Sequence, residues 1–470
     1  MYTLADLLDA LTSRKFDAYR MLLSDAVIDS RQVTPSSLFI AIPGERVDGH
    51  AYLSKAFEKG ALAAIVEKDT SDDFRTIDLR HPLPDGFRLP EPPFCLRVEN
   101  SLKALQQASA HWRRQLSVGV VGITGSVGKS TTKELVSEVL SWRFATIKNP
   151  GNYNNEIGLP LTMLRMTRAT QIAILEMGFY VPGEIQFLCD LALPKVGIVT
   201  NIGTVHAERA GSQESIARGK AELVENLPSD GTAILNMDDP WVRWMIGRSK
   251  ARVLTYSAES KADLTVSDVK GLGLKGIEFT LHYKNCSQRL CIPIIGKHSV
   301  HTVLRAAAAG FTFGMSWEEI IDGLQSSTTQ LRLCGIHTGQ GALVLDDSYN
   351  ASPESTTAAL DLLSEIPGHH IAVLGDMLEL GPYEKSGHQL VGYKAANVAD
   401  RLVTVGQRAR IIAEAAIEKG MPSTAVTCVD DTAAAVDILK SNLHESDVVL
   451  IKGSHGLRMD RIVTEIEATL

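Results

Sequence analysis

The stretch Thr124-Gly125-Ser126-Val127-Gly128-Lys129-Ser130-Thr131-Thr132 sets two glycines, a lysine and a run of hydroxyls directly after the apolar segment Val118 to Ile123. Such a turn between a strand and a helix cradles phosphate. Backbone N–H groups and the positive end of the helix dipole face the anion, Lys129 reaches the outer phosphates, and the Ser130 hydroxyl can ligate Mg²⁺. The spacing is the short G-x-x-G-K-S form, because Ile123 stands where the longer motif has its first glycine. The expectation is a nucleoside triphosphate site built from Thr124, Gly125, Ser126, Val127, Gly128, Lys129, Ser130 and Thr131. Further chemistry sits at later strand ends: Glu176 follows Ile172–Leu175, and Thr200-Asn201-Ile202 leads to His206.

Those side chains need elements that bring them to one crevice. The phosphate loop is followed by a helical face of Leu135, Val136, Val139 and Leu140, and apolar segments at 118–123, 172–175, 196–200 and 232–235 read as strands separated by helices. Alternation of this kind predicts a mainly parallel sheet, in which ligands lie beyond the carboxyl ends of the strands. A further block repeats the pattern at 342–345, 371–374, 402–405, 425–429 and 448–451, with Ser352 and Pro353 reading as N-cap and first residue of a helix. The fold expected is α/β with three domains: a small N-terminal α/β substrate domain (1–112), a central ATPase domain of phosphate-loop type (113–328) and a C-terminal Rossmann-like domain (329–470). Gly271-Leu272-Gly273-Leu274-Lys275-Gly276 satisfies G-x-G-x-x-G, yet the β-rich run 277–281 follows where a dinucleotide site needs a helix, so a hairpin is expected.

Composition bounds the function. A chain of 470 residues, 44% hydrophobic, can bury more than one core, and a net charge of −8 argues against a protein built around nucleic acid or an anionic membrane. The six cysteines are scattered with no C-x-x-C, which reads as reduced thiols, and no apolar run approaches a membrane span. A cytoplasmic monomer without nucleic-acid partner or membrane insertion is expected.

Taken together, the motifs resemble those of the Mur ligases, ATP-dependent amide-forming enzymes of peptidoglycan precursor synthesis. The resemblance runs over nearly the whole chain. It includes Asp29-Ser30-Arg31, Gly44 to His50, the phosphate loop, Gly151-Asn152-Tyr153-Asn154-Asn155 through Pro160, Glu176-Met177-Gly178, Thr200-Asn201-Ile202 with His206, and Lys220. Asp347-Ser348-Tyr349-Asn350 and Leu374-Gly375-Asp376-Met377-Leu378-Glu379-Leu380-Gly381 are similar to segments of the member that adds a D-alanyl dipeptide. Ser299 and Thr302 stand where the family has asparagines that contact adenine, Leu331 replaces a glycine before Arg332, and Ser352 replaces an asparagine.

The resemblance implies transfer of D-alanyl-D-alanine to UDP-N-acetylmuramoyl-tripeptide through an acyl phosphate, with ATP and two Mg²⁺ ions. It implies catalytic roles for Lys129, Glu176, His206 and Lys220, and metal ligation by Ser130, Glu176, His206 and a carbamylated Lys220. Nucleotide contacts fall also on Arg332 and Asp347, and substrate contacts on Ser30, Arg31, Asn154, Asn155 and Asn350. The other readings are a related ligase with a different acceptor, tripeptide-forming or polyglutamate-adding, and a phosphate-loop switch that hydrolyses nucleotide to drive a partner. The switch lacks support from any guanine-reading Asn-Lys-x-Asp, and it leaves the third block without a task.

Overall fold

The computed structural model describes residues 2–16, 19–44, 47–70, 74–84, 86–327 and 334–467. The chain forms two compact units. The first comprises Met1–Gly122, Phe144–Gly178 and Gln186–Lys195, and the second Ile123–Arg143, Phe179–Ile185 and Val196–Leu470.

In the first unit a five-stranded sheet contains β1 (Ala26–Val27), β2 (Leu38–Ile40), β3 (Ala63–Val66), β4 (Thr76–Asp78) and β5 (Phe94–Arg97), in the order β1-β2-β3-β5-β4. Its strands pair in parallel. Phe39, Ala64, Val66 and Cys95 pack on Leu53 and Ala56. A helix over Ser101–Arg114 follows, capped by the Asn100 side chain. Its Arg113 guanidinium is buried and donates to the carbonyls of Ala192, Leu116 and Val118. Strands β6 (Gly119–Thr124), β7 (Thr146–Lys148) and β8 (Ile172–Glu176) lie in the order β6-β8-β7; the last two residues of β6 belong to the second unit.

The second unit carries β9 (Val196–Val199), β10 (Thr232–Asn236), β11 (Arg252–Ser257) and β12 (Leu264–Gly271), paired in parallel, then β13 (Ile277–Tyr283) and β14 (Cys286–Ile292), paired antiparallel. Gly271 ends β12 and a turn at Gly273–Lys275 leads into β13, so the glycine-rich decoy is a hairpin as its sequence predicts. A six-stranded sheet follows: β15 (Cys334–His337), β16 (Leu343–Asp347), β17 (His369–Gly375), β18 (Arg401–Val405), β19 (Val426–Val429) and β20 (Asp447–Lys452), in the order β15-β16-β20-β17-β18-β19. Alternate residues of β16 enter two cores: Leu343 and Leu345 pack with Leu360 and Leu363, and Val344 packs with Leu439 and Ile462. Helices on both faces explain why these parallel strands read as continuous apolar runs.

Two strand ends differ from the sequence expectation by a residue or two. Glu176 is the last residue of β8 and Asp347 the last of β16, inside the ladders rather than after them. The short edge strands β7 and β15 were not legible, because three or four residues carry too little periodicity. Leu331 and Arg332, and residues 45–46 of the segment Gly44 to His50, lie outside the described residues.

Candidate active site

The phosphate loop in the second unit is held by its neighbours. Gly125 has φ +143°, and a Cβ there would fall 1.8 Å from Thr200 Oγ1, so only glycine fits. Thr200 Oγ1 donates to the Val127 carbonyl at 2.7 Å, and Asn201 accepts from Ser126 N through its carbonyl and from Val127 N through Oδ1, both at 2.9 Å. Gly203 N donates to Ser126 Oγ. Gly128, at φ +81°, starts the helix Lys129–Ser141 with no side-chain cap. The sequence thus predicted the loop, and Thr200-Asn201 turns out to be its frame.

Two lysines converge on one backbone oxygen. Lys129 Nζ donates to the Gly125 carbonyl at 2.9 Å and to that of Ser126 at 3.3 Å, while Lys220 Nζ donates to Gly125 at 3.1 Å. Lys220 is 0% exposed and its ammonium lies 4.5 Å from the centre of the Phe179 ring. Gly219 lets that ring approach, since a Cβ at 219 would meet Phe179 at 2.1 Å.

His206 stands in the same electrostatic neighbourhood. Burial pushes its imidazole below the ordinary value; Glu379 opposes the shift, and the charges of Lys129 and Lys220 add to it. The pair is a neutral imidazole beside an ionised Glu379, whose carboxyl is held low mainly by its hydrogen bond to His206. Nδ1 donates to Glu379 Oε2 at 2.6 Å, and Tyr180 meets the ring edge-on at 4.9 Å. A neutral ring with one nitrogen engaged by a carboxylate fits a metal ligand acting through the other. Among the described residues no three His, Cys, Asp or Glu side chains form a ready-made cage.

In the first unit Glu176 is buried, and Asn154 Nδ2 donates to its Oε1 at 2.8 Å. Asn149 brackets the Glu176 backbone, donating to its carbonyl and accepting from its N–H. The neighbouring Asn155 caps local backbone: its Oδ1 accepts from Gly158 N at the start of the helix Gly158–Leu164. Ser30 is buried, whereas the Arg31 side chain is 81% exposed and forked onto Asp29, whose carboxyl it holds below the usual range.

In the last third of the chain, register explains a pairing. Asp347 lies directly across from Lys452 in the ladder of β16 and β20, and Lys452 Nζ donates to Asp347 Oδ2 at 2.5 Å and to the Asn350 carbonyl at 2.8 Å. Lys452 is 2% exposed, so it locks two predicted contact residues together. Lys452 was missed because it reads as the end of an apolar strand.

Ser299 and Thr302, two departures from the family pattern, both make contacts within the protein. Ser299 Oγ donates to the Ile295 carbonyl, and Thr302 Oγ1 accepts from Arg305 Nη2 at 2.9 Å. Both residues are buried with their hydroxyls engaged by protein. Arg305, also buried, donates to Tyr256 Oη, which donates to the Thr200 carbonyl behind the phosphate loop. Asp239 completes that support by accepting from Ile202 N at 2.7 Å. Neither Asp239 nor Arg305 was legible as a support of the loop, because Asp239 reads as an ordinary N-cap and Arg305 as an ordinary helix residue.

Three family models match the chain: "Mur ligase family, catalytic domain" over residues 26–78, "Mur ligase middle domain" over 123–310 and "Mur ligase, glutamate ligase domain" over 332–455. A UDP-N-acetylmuramoyl-tripeptide--D-alanyl-D-alanine ligase of Bacillus subtilis is 36% identical, covering 93% of this chain and 92% of its own. The solved MurF of Acinetobacter baumannii is 27% identical with a TM-score of 0.82, covering 99% of this chain and 98% of that one. The MurF ligase of Thermotoga maritima, solved in complex with ADP, is 28% identical with a TM-score of 0.79 over 98% of both chains. With that identity over nearly its full length, and those frames around its phosphate loop, the chain belongs to the Mur ligase family.

Proposed function

We propose that the chain is the ATP-dependent ligase that joins D-alanyl-D-alanine to UDP-N-acetylmuramoyl-tripeptide in peptidoglycan precursor synthesis. The observation that carries this reading is the phosphate loop framed by Thr200-Asn201, in a chain 36% identical over 93% of its length to a relative of that name. Domains at 1–112, 113–328 and 329–470 would receive the UDP substrate, ATP and the dipeptide respectively, in a cytoplasmic monomer. Among the described residues no helix is long and apolar enough to cross a membrane.

A carboxylate and an amine do not condense unaided in water, so the carboxylate oxygen first attacks the γ-phosphorus, ADP leaves, and an acyl phosphate forms. The dipeptide amine then attacks the acyl carbon; the amide forms, phosphate leaves and the amine gives up a proton. Lys129 and the loop N–H groups neutralise charge on the transferring phosphoryl group. Bound Mg²⁺ would supply further positive charge there, with Ser130, Glu176, His206 and Lys220 as the residues to hold it.

Lys220 is suited to that role only after its charge is reversed: the neutral amine adds CO₂, giving a carbamate and releasing one proton. A buried ammonium beside Lys129 is the species such a reaction relieves. Ser30 and Arg31 would bind the UDP substrate, Asn154 and Asn155 the peptide end, Arg332 and Asp347 the nucleotide, and Asn350 the dipeptide. Asn154 also has a clear supporting task, since it fixes the Glu176 carboxylate.

The test is phosphate release with each substrate omitted in turn, scanning single amino acids against D-Ala-D-Ala. Release that needs both UDP-MurNAc-tripeptide and the dipeptide, one amide per phosphate, is expected. Vigorous hydrolysis with neither present would return the chain to the switch reading, and a preference for a single amino acid would return it to a sibling ligase.

A further inference from the structure

We propose that Glu379 is a positioning residue for His206, fixing its tautomer and aiming its Nε2. The inference rests on the metal-binding reading of His206 given above. An ionised carboxylate only accepts hydrogen bonds, so the 2.6 Å contact with Glu379 Oε2 obliges His206 Nδ1 to carry the proton. The lone pair is then left on Nε2, for which no hydrogen-bond partner occurs among the described residues.

The backbone holds both ends of this contact in place. His206 has φ +70° and Glu379 φ +64°, left-handed conformations that side chains other than glycine rarely adopt. Glu208 N donates to the Glu379 carbonyl at 3.3 Å. Gly381, at φ +52°, lies so close that a Cβ there would meet Glu208 Cα at 2.8 Å. Nearby, Thr204 N donates to Glu354 Oε1 at 3.3 Å, so the loop 203–208 is gripped at two points by the last third of the chain. A residue more than 170 positions away in sequence thus sets the orientation of a candidate ligand, as outer-shell carboxylates do for histidines that bind metals.

The experiment uses the full chain and two independent measurements. In metal-free protein labelled with ¹⁵N-histidine, long-range ¹H–¹⁵N correlation spectra report which ring nitrogen of His206 is protonated, the resonance being assigned with His206→Ala. Wild type should show the Nδ1–H form alone and Glu379→Ala a mixture of tautomers. Glu379→Gln, whose amide oxygen still accepts, should restore the Nδ1–H form. A single unchanged tautomer in Glu379→Ala overturns the proposal, and so does an Nε2–H form in wild type.

Mn²⁺ titration at saturating AMP-PNP, followed by the free-ion EPR signal, gives affinity for metal beyond that carried by the nucleotide. Glu379→Ala should weaken it about tenfold or more, and Glu379→Gln less. If His206→Ala weakens Mn²⁺ binding but Glu379→Ala does not, positioning toward metal is refuted while the metal reading stands. If His206→Ala has no effect, the metal reading itself fails, and with it the claim that Nε2 is aimed at metal.

Discussion

Two strand-to-helix junctions of the second unit carry candidate chemistry, and they begin their helices in opposite ways. After β6 the helix starts at Gly128, left-handed and without a side-chain cap. After β16 it starts at Ser352, whose hydroxyl accepts from Ser355 N in a reciprocal cap, with Pro353 next. An uncapped helix start of the first kind is suited to an anion; the second satisfies its own donors from its own side chains. What the second offers a ligand must therefore come from residues ahead of the helix, Asp347 and Asn350, and these are arranged by Lys452. The same topological element starts without a side-chain cap in one place and as a self-capped bracket in the other.

Breaking the uncapped junction should have the largest effect. Lys220→Ala is expected to remove most ligase activity while Tm shows the chain still folded. Acetate or formate, entering the vacated space as substitutes for carbamate oxygens, should restore part of the rate. Lys129→Ala removes a cation rather than an anion, so it should lose roughly a hundredfold or more in turnover, with no rescue by acetate. Phosphate release measured with and without acetate separates the two lysines, although both now donate to the same Gly125 carbonyl. Equal rescue of both variants would sink the carbamate assignment.

This difference between the two junctions was partly written in local sequence. Gly125, Gly128 and Lys129 are neighbours, and so are Ser352 and Pro353, hence both helix starts were readable from spacing alone. The supports were not. Glu379 reaches His206 across 173 positions, Lys452 reaches Asp347 across 105, and Asp239 reaches Ile202 across 37. Such partners depend on register and chain packing, which short-range patterning does not encode. Ser299 and Thr302 were legible as departures from the family's asparagines, but not the partners of their hydroxyls, Ile295 and Arg305.

Breaking the bracket should act on stability before chemistry. Lys452→Met leaves Asp347 without its ammonium, a cost of about 3 kcal/mol for a buried pair that loses one partner. Because the Asp347 side chain is still 18% exposed, water can recover part of that. Urea unfolding should show the loss, and adding Asp347→Asn to Lys452→Met should restore much of it. If the double variant is no more stable than the single one, the pair is not the source of the effect.

The smallest expected effect sharpens the comparison most. Ser352→Ala removes the hydroxyl that accepts from Ser355 N but leaves Pro353, Asp347 and Asn350 in place. Loss of an N-cap hydroxyl costs about 1 kcal/mol, and this should appear as a lower urea midpoint at unchanged slope. Turnover at saturating ATP should stay within about twofold, since a helix start that already satisfies itself has little to give a ligand; that factor corresponds to under half a kcal/mol. A loss of turnover comparable with that of Lys129→Ala, at unchanged stability, would mean that the Ser352 junction also receives substrate, and the two helix starts would then differ in chemistry less than their caps suggest.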